Sequence, residues 1–234
     1  KKMIIIHDTP PHTGEPAFPG ACEKILNFSD FWDDNAFKSE KKEIIATALL
    51  NKAYHKTASR YIEAAGKLIL DSYKTALACT DKEKALQFSK ALCRKLIPQR
   101  ANAAVGNEWV RFIEGITPLG IVSYSDTLLK EVPKTVIIDD EYGGASNIII
   151  GFVREYALKN GYEIVTLKNP FLPSVITDHI IIPELSVAIA TENAYIHFSS
   201  KERRIHARRF VSSKKLHLSR ERLKFNKKAA KELL

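Results

Sequence analysis

Long apolar runs and paired cysteines are both missing from this sequence. No stretch of about 18 consecutive apolar residues occurs, so no membrane span is predicted. The chain has 3 cysteines, Cys22, Cys79 and Cys93, which are far apart and form no C-x-x-C pair. The number and spacing of these cysteines argue against a disulfide framework or a zinc site. It predicts free thiols in a reducing cytoplasm.

Motifs that would indicate a particular class of hydrolase or a secreted protein are also missing. The sequence contains neither H-E-x-x-H nor G-x-S-x-G, which disfavours a zinc protease and a serine hydrolase. The N-terminus has no starting Met, and its apolar stretch is too short for a secretory signal. We therefore expect a fragment or a processed form of a protein that is not secreted.

Positive charge is abundant and is concentrated at the C-terminus. The whole chain has a net charge of +9, and residues 201–234 contain 13 Lys and Arg against 3 Glu. Basic residues that alternate with aromatic ones are typical of segments that bind nucleic acid or another acidic partner. A solvated helix face explains the same charges equally well. The candidate nucleic-acid contacts are Arg203, Arg204, Arg208, Arg209, Lys214 and Lys215.

Residues 33–100 have the periodicity of long helices. Between Asp33 and Ala78, inward positions recur in steps of three and four residues. Thr80 and Glu83 match a capping box that would restart the helix, and Pro98 would end it. The pattern predicts a long antiparallel helical hairpin, inserted into the fold and projecting from its globular part.

Residues 101–234 alternate between apolar runs and helical patterns. This order predicts an α/β domain with a mostly parallel sheet, helices on both faces and a basic C-terminal helix capped by Ser219. Thr117 and Pro118 have the form of a helix start. The predicted strands are Glu108–Glu114, Lys134–Asp139, Glu163–Leu167, His179–Ile182 and Leu185–Ala190, with a helix at Asn147–Asn160. Residues 1–32 would supply a short strand, Met3–Ile6, and a Pro-rich loop.

The segment 140–147 lies where a P-loop protein has its phosphate loop, between a buried strand and a helix. Its two glycines permit a close backbone approach, so an anion could bind at the start of the helix. The candidate nucleotide-binding residues are Gly143, Gly144, Ala145, Ser146 and Asn147. The P-loop Lys is missing, and an Asn replaces the Mg²⁺-binding Ser or Thr, which disfavours phosphoryl transfer. An ordinary strand–helix turn is an equally good interpretation.

Two acidic residues end the strand that precedes this loop. The run VIIDDE has the form of a Walker-B segment, an apolar strand that ends in a magnesium ligand. Asp139 and Asp140 are therefore candidate metal ligands. Any buried strand can end in Asp, so the pattern is weak.

The order of segments resembles a family of uncharacterised bacterial ATPase-like proteins that have two tandem P-loop domains. The stretches that carry the resemblance are Ile4–Asp33, Lys41–Lys67, Phe112–Leu129 and Gly161–Thr191. The resemblance implies a P-loop NTPase-like fold. It also implies that Ile4–His12 closes a first domain, and that ATP and Mg²⁺ are bound in the family. The present chain would then be the C-terminal half.

The resemblance also implies a phosphate loop at Asp140–Ile148, and the residues depart from that pattern. Asp140 stands at the first Gly, Ser146 at the Lys and Asn147 at the Ser or Thr. We therefore expect a degenerate loop, with ATP and Mg²⁺ binding lost or weak. Such a half would be regulatory, or would pair with the preceding P-loop domain or a second copy of the chain. The alternative is a nucleic-acid-binding module that uses the basic C-terminal segment.

Overall fold

The computed structural model describes residues 18–21, 23–101, 103–199 and 204–234. The chain divides into two units, 1–54 and 55–234. The predicted strand at Met3–Ile6 lies outside the described residues. The helices are α1 (Asp34–Ser39), α2 (Lys41–Ala78), α3 (Lys82–Leu96), α4 (Ser125–Glu131), α5 (Gly144–Lys159), α6 (Ser213–Leu218) and α7 (Arg220–Leu233). The strands are β1 (Glu108–Arg111), β2 (Glu114–Thr117), β3 (Gly120–Ser123), β4 (Lys134–Asp139), β5 (Ile164–Lys168), β6 (Thr177–Ile182), β7 (Val187–Glu192) and β8 (Arg204–His206).

The described part of the first unit is short and exposes many apolar side chains. The Asp33 carboxylate caps α1 by accepting hydrogen bonds from the N–H groups of Asn35 and Ala36. Large side chains such as Phe31 and Leu49 remain mostly exposed. These exposed side chains are therefore not part of a hydrophobic core within the described residues.

The second unit is built on a six-stranded sheet of order β1-β5-β6-β7-β4-β8. Every neighbouring pair is parallel except the two that involve β6. The sheet is therefore mixed, whereas a mostly parallel sheet was predicted. A short 3-10 turn, Pro183–Leu185, joins β6 to β7. So short a connection can link only antiparallel neighbours.

Apolar clusters cover both faces of this sheet, as predicted. On one face, α5 packs with α3 over Ile138, Ile180 and Ile189. On the other face, Leu128 of α4 packs over a cluster that includes Ile137. Adjacent residues of one strand thus point to opposite faces, as the pleat requires.

The second arm of the predicted hairpin differs from the structure in two respects. Helix α3 does not project, because Ala85 and Cys93 are fully buried in the cluster formed with α5. The cap of α3 is also shifted by one residue. The Asp81 carboxylate, rather than the Thr80 hydroxyl, accepts the hydrogen bond from a first-turn amide, at 3.0 Å. Pro98 follows the end of α3, as predicted.

The predicted helix start at Thr117 is wrong, because this segment is the turn of the β2–β3 hairpin. The Thr117 hydroxyl donates to the carbonyl of Gly120 at 2.8 Å and accepts from the N–H of Leu119. Gly120 has a φ of +99°, which glycine adopts at little cost. A Thr-Pro pair can begin a turn as well as a helix, and Gly120, two residues after the pair, favours the turn. The helix begins at Ser125 instead.

The C-terminal helix is present, with its inward face on Leu223 and Ala230. Ser219 precedes it but makes no side-chain capping bond with any described residue. Ser212 caps the shorter helix α6. Within the described residues, no helix is long and apolar enough to cross a membrane.

Candidate functional site

The candidate site lies at the edge of the sheet where its parallel strands end. Strands β4 and β7 finish there with Asp139 and Glu192, which are register partners. Because β6 runs the other way, it begins at this edge, where Thr177 pairs with Lys168 at the end of β5. Open α/β sheets bind their ligands at this edge. The 140–147 loop is therefore in the right place for a binding site.

A carboxylate of the loop itself occupies the anion-binding end of α5. Asp140 Oδ2 accepts hydrogen bonds from the backbone N–H groups of Ala145 and Ser146, both at 2.8 Å. These amides belong to the first turn of the helix, where partial positive charge favours an anion. Asp140 is 6 % exposed, so water has little access to it. The amides that would hold a phosphate therefore already have an anion of their own.

Two opposing effects act on the pKa of Asp140. Burial raises the pKa above its ordinary value, and hydrogen bonds from the amides of Ser146 and Ala145 act against that rise. The first turn of α5 therefore offsets part of the cost of burying this carboxyl group. The carboxyl group of Asp140 and the first-turn amides of α5 therefore stabilise each other by hydrogen bonding.

Both glycines of the loop have structural explanations. Gly143 is the N-cap of α5 and has a φ of +75°, a left-handed conformation that glycine adopts without strain. At Gly144, a Cβ atom would lie 2.9 Å from the carbonyl carbon of Ala76 and from the nitrogen of Leu77. This glycine therefore lets the end of α2 approach α5 closely. Neither glycine needs a phosphate to account for it.

The side chain of Asn147 joins three elements. Its Nδ2 donates to the hydroxyl of Tyr73 on α2 at 2.7 Å and to the carbonyl of Val175 at 3.4 Å. Its Oδ1 accepts from the N–H of Thr177 at 3.2 Å. A side chain held by these contacts is not free to bind Mg²⁺ in place of the P-loop Ser or Thr.

The two candidate metal ligands are adjacent in sequence but have separate partners. Asp139 Oδ2 lies 2.7 Å from Nδ1 of His206, and both side chains are largely exposed. The Asp140 carboxylate is directed at the amides of α5 instead. No group of three or more His, Cys, Asp or Glu positioned to hold a metal ion occurs among the described residues.

The six basic candidates have different environments. Arg203 lies outside the described residues. Arg204 pairs with Glu192 at 2.7 Å and donates to the carbonyl of Phe198, so it helps to hold the chain together. Arg209 lies over the rings of Phe88 and Phe210. The remaining three, Arg208, Lys214 and Lys215, are exposed and have no acidic partner among the described residues.

A cleft of about 700 Å³ opens beside the loop, a feature that the sequence did not reveal. One wall contains Asp139, Asp140 and Glu141, and α6 and α7 form the other. Basic side chains of α7 line this wall. Arg208, which belonged to the predicted basic set, also lines the cleft, from the 3-10 turn Ala207–Phe210 before α6. The approach of the C-terminal helices to the end of β4 creates the cleft, and no local pattern signals that approach.

Sequence reasoning also missed a group of buried polar side chains at and behind this edge. Asp178 is almost fully buried and accepts a hydrogen bond from Nδ2 of Asn169 at 2.8 Å. Burial raises its pKa to about 6. His179 is fully buried between Oε1 of Glu114, 3.1 Å from its Nε2, and the N–H of Thr191, which donates to its Nδ1. Local sequence patterns do not predict such pairs, because the paired residues are separated in sequence.

Comparisons with protein-family models, with curated proteins and with solved structures found nothing that matches this chain.

Proposed function

We propose that this chain is a non-hydrolytic, ATPase-like α/β module that acts by regulation or by pairing with another domain. The contact of the Asp140 carboxylate with the amides of Ala145 and Ser146 is the observation that carries the proposal. A phosphate placed at the same amides would have to displace this carboxyl group. Hydrolysis also needs a P-loop Lys and a Mg²⁺ ligand, and Asn147 is engaged with Tyr73 instead.

Assays of ATP hydrolysis and of magnesium-dependent ATP binding together test this proposal. We expect the purified chain to release no phosphate from Mg·ATP above a heat-denatured control. We also expect calorimetric titration with ATP to give the same result with and without Mg²⁺, because a P-loop site needs the ion to hold the β and γ phosphates. A magnesium-dependent affinity tighter than about 10 μM would contradict the proposal.

The exposed apolar residues of the first unit support a pairing role. On the part of α2 that belongs to this unit, Leu49, Leu50 and Tyr54 are more than half exposed, and so is Trp32 before α1. Contiguous exposed apolar surface is a common mark of a protein interface. If a second copy covers this surface, sedimentation should show a dimer that Leu49→Glu and Leu50→Glu dissociate. A monomer would favour an ATPase-like domain as the partner.

Nucleic-acid binding is the second candidate. It is favoured by Arg208, Lys214 and Lys215, which are exposed and have no acidic partner in the part of the chain that the structure describes. Lysines and arginines that neutralise phosphates make binding weaken steeply with salt. We expect Lys214→Gln with Lys215→Gln to reduce both the affinity for single-stranded RNA or DNA and the salt dependence. Absence of any gel shift at low salt would remove this candidate.

A further inference from the structure

The cleft between the end of β4 and the C-terminal helices has the size and position of a ligand site. Its volume of about 700 Å³ lies within the range of about 300–1,000 Å³ that is usual for small-molecule sites. It opens at the edge of the sheet where open α/β folds bind ligands. It is separate from the amides of α5, because the Asp140 carboxylate lies on them.

The cationic residues of the cleft are only partly neutralised. Arg208 and Arg220 line it, and neither guanidinium has an acidic partner among the described residues. Lys224 also lines it and pairs with Glu221, an exposed residue of the same helix, at 3.1 Å. An exposed pair of this kind is weak and can yield to another anion.

The acidic residues of the cleft, in contrast, all have partners. Asp139 lies against His206, and Asp140 accepts the amides of α5. Glu141 accepts a hydrogen bond from Nζ of Lys227 at 2.6 Å. Four Lys or Arg side chains line the cleft against three carboxylates, so its formal charge is slightly positive. Arg208 and Arg220, which have no acidic partner among the described residues, are the groups that favour an anionic ligand.

The rest of the lining is largely apolar. Ala207, Val211, Leu216 and Leu223 face the cleft between the charged groups. A free inorganic anion would leave this surface exposed to water, whereas an organic ligand would cover it. The lining therefore fits a ligand with an anionic group at one end and an apolar or aromatic body at the other.

We propose that this cleft binds a small organic phosphate. Arg208 and Arg220 hold the phosphate group, since guanidinium groups match phosphate oxygens in pairs. The apolar body of the ligand lies against Val211, Leu216 and Leu223. This site goes beyond the proposed function and does not depend on it, because it uses none of the amides of α5.

Calorimetric titration with 1-naphthyl phosphate and with inorganic phosphate, both without Mg²⁺, tests the site. We expect the naphthyl ester to bind at least about tenfold more tightly, because its ring covers the apolar lining. Arg208→Gln combined with Arg220→Gln should weaken its binding by about tenfold or more. The matched control is Lys214→Gln with Lys215→Gln, which removes two charges from α6 outside the cleft lining and should leave binding unchanged.

Three results would overturn the proposal. The first is absence of binding by the ester up to about 5 mM. The second is equal loss of binding in the arginine pair and in the lysine control, which would indicate general attraction to a basic surface. The third is equal affinity for the ester and for inorganic phosphate, which would indicate an adventitious anion site. Circular dichroism verifies folding, and the single arginine variants give the same reading should the double variant fail to fold.

The test of the cleft and the test of the proposed function can fail independently of each other. If the cleft binds no organic phosphate, the contacts of Asp140 and the expected lack of ATP hydrolysis are unaffected. Magnesium-dependent hydrolysis would contradict the proposed function without affecting the cleft.

Discussion

Replacement of Asp140 by Ala perturbs the loop most directly. The substitution removes the acceptor of two hydrogen bonds, from the amides of Ala145 and Ser146, each 2.8 Å long. Loss of a side-chain acceptor at a helix N-terminus costs about 1 kcal/mol, and each buried donor left without a partner costs about 1–3 kcal/mol. Removal of a buried charge offsets part of this cost. We expect a net loss of about 2–4 kcal/mol in the free energy of unfolding.

Urea unfolding at pH 7 measures this loss. A Trp32→Phe background leaves Trp109, on β1, as the tryptophan that reports on the second unit. The matched control is Asp139→Ala, which removes an exposed contact with His206 and should cost less than about 1 kcal/mol. The reasoning would be refuted if the two alanine variants lost equal stability, or if Asp140→Ala lost less than about 0.5 kcal/mol.

Two further predictions concern the same half of the chain. Gly144→Ala should destabilise the protein by about 1–3 kcal/mol, because its Cβ would meet the backbone of α2 at 2.9 Å. Gly151→Ala lies in the same helix, and no described atom beyond its chain neighbours and the backbone of its own helix lies within 4 Å of the added Cβ, so it should stabilise the protein by about 0.5–1 kcal/mol. Equal effects of the two substitutions in urea unfolding would contradict the close approach of α2. Asp178→Asn should have no effect near pH 4 and should stabilise the protein by at most about 3 kcal/mol at pH 7. The folded pKa of Asp178 is about 6 against an ordinary 3.8, so the wild type loses stability as this group ionises between those values, and parallel pH profiles of wild type and variant would refute the argument.

The sequence predicted the elements that have a strong local signal. Strand β4 has the predicted bounds, Lys134–Asp139, because a run of β-branched residues between a Pro and two acids allows little else. Strands β5 and β7 are displaced from their predictions by only one or two residues. Helix α5 begins three residues earlier than predicted, since Gly143 in a left-handed conformation forms its cap.

The sequence failed where tertiary contacts decide. Asp139 and Asp140 were predicted as candidate metal ligands, but the orientation of their side chains could not be inferred from the sequence. The structure directs Asp140 at the amides and Asp139 at His206. The cleft was likewise not predictable, because it depends on the placement of α6 and α7 beside the end of β4. The pairing of His179 with Glu114 spans 65 residues, beyond the reach of any local pattern.

One measurement tests the central claim, that the Asp140 carboxylate fills the anion position at the start of α5. In a nitrogen-15 NMR titration with Mg·ATP, the amide resonances of Ala145 and Ser146 should stay in place, because their hydrogen bonds are already made. Any shifts should appear instead at Arg208 and Arg220 in the cleft. Saturable shifts of the Ala145 and Ser146 amides would contradict the claim and would show that the loop still accepts a phosphate.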